Sequence, residues 1–160
     1  SKGVISTIGK SFTPGTGITR ADYLMMLVRA LGLSAEFTAN FDDVKPGDYY
    51  FKEIGTARKL GITSGIGNNK FNPSATITRQ DMMTLTERAL RKLKIISREG
   101  STADLETFSD KDSIAEYAKN CIATLIREGL VEGFEDRINP LSDTTRAEAA
   151  VFIYRIYNIR

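Results

Sequence analysis

A chain of 160 residues with 41% hydrophobic and 26% charged content has the composition of an ordinary globular protein, long enough to bury a core. A formal net charge of +2 is too mild to imply nucleic acid, and zero histidines with one cysteine remove the usual transition-metal sites, a disulfide framework and the Ser-His and Cys-His nucleophile pairs. The 20 Asp and Glu show no apolar pattern that would raise one carboxyl of a pair, so no catalytic residue, cofactor or metal is expected. No run of eighteen apolar residues occurs, and Ser1-Lys2-Gly3 opens no charged-then-apolar leader, which predicts neither a membrane span nor an export signal within the sequence.

In chain order, Phe12-Thr13-Pro14 comes first, and six residues after the proline Thr19-Arg20 opens a helix that carries Leu24, Leu27, Val28 and Leu31 before stopping at Gly32. Phe41-Asp42-Asp43 leads to a shorter helix with Ile54, Ala57, Arg58 and Leu60, ended by Gly61. A turn-rich Gly65-Ile66-Gly67-Asn68-Asn69 precedes Phe71-Asn72-Pro73, and Thr78-Arg79 starts the next helix. The order then repeats. Phe108-Ser109-Asp110 is followed by an apolar stripe of Ile114, Tyr117, Ala118, Cys121, Ile122 and Leu125 up to Gly129, then by Gly133-Phe134-Glu135-Asp136 and Ile138-Asn139-Pro140. Thr145-Arg146 begins the last helix, with Ala150, Ile153, Tyr154 and Tyr157. The Phe/Ile-x-Pro segments are expected to be extended, because proline disfavours helix in the residue before it, with a short strand or hairpin in the adjoining loops. Cys121 reads as a small core hydrophobe and Met25, Met26, Met82 and Met83 as core filling. Arg88, Arg91, Lys92, Lys94 and Arg98 read as solvated cations toward a helix end.

These identical offsets define three copies: 1–36, holding only the second half, then 37–100 and 101–160. Gly3-Val4-Ile5-Ser6 aligns with the glycine loop, so the first copy lacks its aspartate motif and first helix. One such unit cannot bury its apolar face alone, which predicts a mainly α, pseudo-three-fold assembly of helix-loop-helix repeats with short extended segments, packed as one compact domain.

The helix starts carry the chemistry. Thr19 with Asp22, Thr78 with Asp81 and Thr145 with Glu148 have capping-box spacing, which the longer glutamate suits best. Arg20, Arg79 and Arg146 each place a cation at the positive end of a helix dipole, an unfavourable position that nevertheless recurs three times. Two readings follow: each arginine pairs with a neighbouring copy's aspartate, or guanidinium and helix amides together hold a carboxylate or phosphate. Asp43 and Asp110 cap the first helix of their copies or meet a ligand's hydroxyls.

Ile18-Thr19-Arg20-Ala21-Asp22, Ile77-Thr78-Arg79-Gln80-Asp81 and Thr144-Thr145-Arg146-Ala147-Glu148, with the Phe-x-Asp, glycine-loop and Phe-x-Pro elements, resemble the S-layer homology domain. Tyr50 and Tyr117 stand where that family has tryptophan, and Gln80 replaces its alanine. The resemblance implies an extracellular, non-catalytic module holding a surface-layer protein or exported enzyme to a bacterial cell wall. It implies as partner a secondary cell wall polysaccharide bearing pyruvate ketals, or a peptidoglycan-linked glycan, with no nucleic acid and no membrane insertion. The ligand-binding set it implies, in grooves between repeats, is Arg20, Arg79, Arg146, Asp43, Asp110, Gly65 and Gly133. The competing readings are a protein-interaction or self-assembly module with the arginines as inter-repeat salt bridges, and a carbohydrate-active enzyme.

Overall fold

A computed structural model describes residues 13–159; Phe12 and the Gly3–Ser6 alignment lie outside them. Among the described residues there are five α-helices and no sheet: α1 (Arg20–Leu31), α2 (Phe51–Lys59), α3 (Arg79–Lys92), α4 (Glu116–Arg127) and α5 (Arg146–Tyr157), with 3-10 turns at Thr102–Leu105 and Lys111–Ser113. They fall into two compact units, one drawn from Ser1–Ile77 with Thr144–Arg160 and the other Thr78–Asp143.

Helix ends form where the punctuation residues stand. The hydroxyls of Thr19, Thr78 and Thr145 accept the N3 amides of Asp22, Asp81 and Glu148 at 3.1, 3.3 and 3.2 Å. Only Glu148 completes the reciprocal box, reaching back to the Thr145 amide at 2.8 Å; the shorter aspartates turn elsewhere. Gly32, Gly61 and Gly129 adopt left-handed φ of 64°, 76° and 71° just past their helices. Lys94, at φ 58°, takes that place after α3.

In the first unit, α1 packs on both α2 and α5. Leu24, Leu27, Leu31, Ile54, Ala57, Ile62, Phe71 and Ile77 are buried there. The residues preceding the three caps close a triangle of main-chain bonds: Ile18 N–H to Thr144 O, Thr144 N–H to Ile77 O and Ile77 N–H to Ile18 O, at 2.9, 2.9 and 3.0 Å. Equivalent positions in three segments thus satisfy one another around a local three-fold point. In the second unit α3 packs on α4, burying Met83, Leu90, Ile122 and Leu125. All four methionines are buried, as core filling requires, while Cys121 is half-buried. Burial and the neighbouring Glu87 push its thiol up to about 11.

Two local expectations are corrected and one is met. The residue before proline is not extended: Asn72 and Asn139 have φ of 58° and 54°. Proline excludes the right-handed helical region there, but asparagine tolerates the left-handed one. The expected strand or hairpin takes its smallest hairpin form: single antiparallel bridges, Gly67 with Lys70 and Phe134 with Arg137, close two tight turns. Tyr117 is not part of the buried stripe of α4; it is exposed, and Ile114 lies buried ahead of the helix.

Candidate functional site

Each arginine-bearing helix starts against a proline loop, with the same pattern in all three segments. The N1 and N2 amides donate to loop carbonyls: Arg20 and Ala21 to Ala75 and Pro73, Arg79 and Gln80 to Ser142 and Pro140, Arg146 and Ala147 to Thr16 and Pro14, all between 2.8 and 3.1 Å. With the threonine hydroxyl on N3, the first three helix amides are satisfied internally. Free helix amides, which the sequence suggested as half of an anion site, are therefore spent on the fold, and an anion would meet side chains.

The guanidinium groups differ in environment. Arg20 is 6% exposed, its Nε donates to Phe71 O at 3.0 Å, and its Cζ lies 4.9 Å from the Phe71 ring centroid. Arg79 Nε donates to Ile138 O at 2.9 Å, and the residue is partly exposed. Arg146 keeps 29% of its side chain exposed and reaches Asp22 Oδ2 with Nη1 at 3.4 Å.

The side chains of Asp43 and Asp110 cap no helix. Instead, the Asp43 carboxylate accepts the amides of Phe71 and Asn72 at 2.9 and 2.8 Å, and Asp110 accepts those of Ile138 and Asn139 at the same two distances. Both tie the Phe/Ile-Asn-Pro loop that the arginine side chains grip from its carbonyls. Burial would raise the Asp43 carboxyl, but the amide donors outweigh it and hold it below its ordinary range. Gly65 and Gly133 sit at φ of 78° and 75° where chain segments nearly touch; a Cβ on Gly65 would lie 2.3 Å from Lys70 O, and one on Gly133 2.8 Å from Arg137 O. Their visible work is shaping these loops.

Two tyrosines complete the surface. Tyr49 donates its hydroxyl to Asp22 Oδ1 at 2.7 Å, so Asp22 links Tyr49 and Arg146, and Tyr49 remains 58% exposed. Tyr117, also exposed, donates to Asp81 Oδ1 at 2.5 Å. Desolvation, and the Asp22 carboxylate on its hydroxyl, raise Tyr49 further, which keeps it a neutral donor. The sequence aligns Tyr50, not Tyr49, with Tyr117, and its spacing marks Asp22 and Asp81 only as caps. Two adjacent tyrosines before α2 carry no spacing signal that says which one turns toward α1. Among the described residues no three of Cys, Asp and Glu gather as a metal site.

The S-layer homology domain family model matches residues 40–83 and 107–150, more than half of the chain, so the chain belongs to that family. Among its relatives, it is 37% identical over 145 residues to the amylopullulanase of Thermoanaerobacterium thermosulfurigenes, covering 89% of this chain and 8% of that protein. It is 35% identical to the exoglucanase XynX of Acetivibrio thermocellus, over 89% of this chain and 13% of that one, and 29% identical to the surface-layer 125 kDa protein of Lysinibacillus sphaericus, over 91% and 12%. The chain therefore spans only a small part of these relatives' length.

Proposed function

We propose that this chain is a non-catalytic module that holds the protein carrying it at the outside of a bacterial cell, by binding an anionic secondary cell wall polysaccharide through its pyruvate ketals. The observation that carries this reading is the meeting of Arg146, Asp22 and Tyr49 on one accessible surface: a cation for a ketal carboxylate, an acceptor for sugar hydroxyls and an exposed ring to lie against a pyranose. Support also comes from the company the segment keeps. Proteins named for two different glycan-directed activities, and one named for the surface layer, share it over about nine-tenths of its length, which fits a function independent of either chemistry. Further support is the family's own name and the three-copy organisation read at 1–36, 37–100 and 101–160. In this reading Arg79 serves as a second contact, Arg20 acts mainly through the loop it holds, and Asp43, Asp110, Gly65 and Gly133 shape the groove walls. A peptidoglycan-linked glycan carrying the same acid group would be recognised by the same chemistry.

The Arg146–Asp22 pair favours one second reading, a self-assembly module in which arginines bridge copies. Sedimentation with purified walls separates them. In the first reading Arg146→Ala weakens binding tenfold or more, since a charge-assisted hydrogen bond contributes about 1.5–3 kcal/mol, and Arg20→Ala chiefly lowers the melting temperature. Intact wall binding by Arg146→Ala with reduced stability would instead establish the bridge.

A further inference from the structure

Asp22, Asp81 and Glu148 occupy the same position, two residues after the arginine, at the starts of α1, α3 and α5. All three donate their amide to the threonine cap, but only Glu148 brings its carboxylate back to its own cap amide, Thr145 N, at 2.8 Å. Aspartate, one methylene shorter, leaves that box open. In α1 the carboxylate turns outward instead, accepting the Tyr49 hydroxyl on Oδ1 at 2.7 Å and meeting Arg146 Nη1 with Oδ2 at 3.4 Å. This ion pair is unlike those that hold the fold. Arg29–Glu53, Arg91–Glu87 and Arg127–Asp104 close to 2.8, 2.7 and 2.9 Å, the range of a well-formed charge-assisted bond, whereas Asp22 meets Arg146 through one nitrogen at the edge of bonding distance. A long, partly exposed pair contributes little to stability, so another acid can take the place of the Asp22 carboxylate on Arg146. Until it is displaced that carboxylate neutralises the cation, and once displaced it leaves a like charge beside the incoming acid.

We propose that Asp22 is an internal competitor for Arg146, a built-in carboxylate that an acidic ligand must displace and whose charge holds down the affinity of this site. The inference rests on the glycan reading above and adds to it a residue whose charge opposes binding. Two substitutions separate charge from position. Asp22→Asn removes the charge and keeps an oxygen that accepts from Tyr49 or from a sugar hydroxyl, so the gain at the ligand's carboxylate dominates. Asp22→Glu keeps the charge but supplies the length with which Glu148 reaches its cap amide, which draws the carboxylate toward Thr19 N and away from Arg146.

The test is equilibrium binding of the parent and both variants to purified walls whose secondary polymer carries pyruvate ketals, and to the same walls after mild acid has removed them. Both variants should bind the ketal-bearing walls about three- to fivefold more tightly than the parent, the scale of an exposed ion pair, with no gain on stripped walls. Melting temperatures check that each variant is folded. A parent that prefers ketal-bearing walls, with no gain in either variant, would overturn the competitor role and leave the glycan reading standing. Weaker binding by Asp22→Asn would overturn it as well, because the charge would then be serving the ligand. A parent that binds both wall preparations equally removes the glycan reading, and this inference with it.

Discussion

At the triangle of main-chain bonds, Thr144 stands where the other two segments have Ile18 and Ile77, and its hydroxyl is buried with no hydrogen-bond partner among the described residues. An unsatisfied buried hydroxyl costs about 1–3 kcal/mol. Thr144→Val keeps the shape and removes the polar atom, so it should stabilise by about 1 kcal/mol, raising the melting temperature by roughly 2–4 °C. An unchanged or lower midpoint by calorimetry would mean that the hydroxyl is satisfied. Asp43 behaves in the opposite sense, because its charge is useful. A carboxyl held below its ordinary value near 3.8 contributes fully above that pH, and the contribution disappears as pH falls through the lowered folded value. Asp43→Asn should therefore melt below the parent at pH 7, with the gap closing below about pH 4. A gap that stays constant across that range would show that the amide bonds work equally well with a neutral acceptor.

Among the elements, the loops that end at Pro73 and Pro140 receive the first amides of α1 and α3 on carbonyls at and just after those prolines. Gly65 and Gly61 share a left-handed backbone, but a Cβ at Gly61 meets open space whereas one at Gly65 meets Lys70 O and the Phe41 ring. Gly61→Ala should cost only the conformational penalty, about 1–2 kcal/mol, and Gly65→Ala more, measurable by urea unfolding. Equal costs would show that the loop yields. Local signals were readable in the sequence: the threonine caps, the glycine stops at Gly32, Gly61 and Gly129, and the start of all three arginine helices depend on residues within one turn of each other. What escaped depends on distance along the chain. Asp43 serves amides 28 and 29 residues away, the Asp22 carboxylate is met by Tyr49 from 27 residues away, and the first helix amides are met by loops from another segment. None of these leaves a periodic trace. The left-handed Asn72 and Asn139 escaped for another reason: proline disfavours the right-handed helical region in its predecessor but leaves more than one alternative, and the amides of both asparagines are bound by the distant Asp43 and Asp110.

For the whole molecule, membership of the S-layer homology family was legible through the repeated Thr-Arg and Phe-x-Pro offsets, while the surface proposed to meet the wall rests on the exposed Tyr49 and part-exposed Arg146. No helix among the described residues is long and apolar enough to cross a membrane. The central claim is that a ketal carboxylate is what the Tyr49 and Arg146 surface recognises. The most direct measurement is equilibrium binding of the purified protein to cell walls whose secondary polymer carries pyruvate ketals, before and after their removal by mild acid. Saturable binding that falls tenfold or more on removal, matching the loss of a charge-assisted contact of about 1.5–3 kcal/mol, is the expected result. Equal binding to both wall preparations would contradict it.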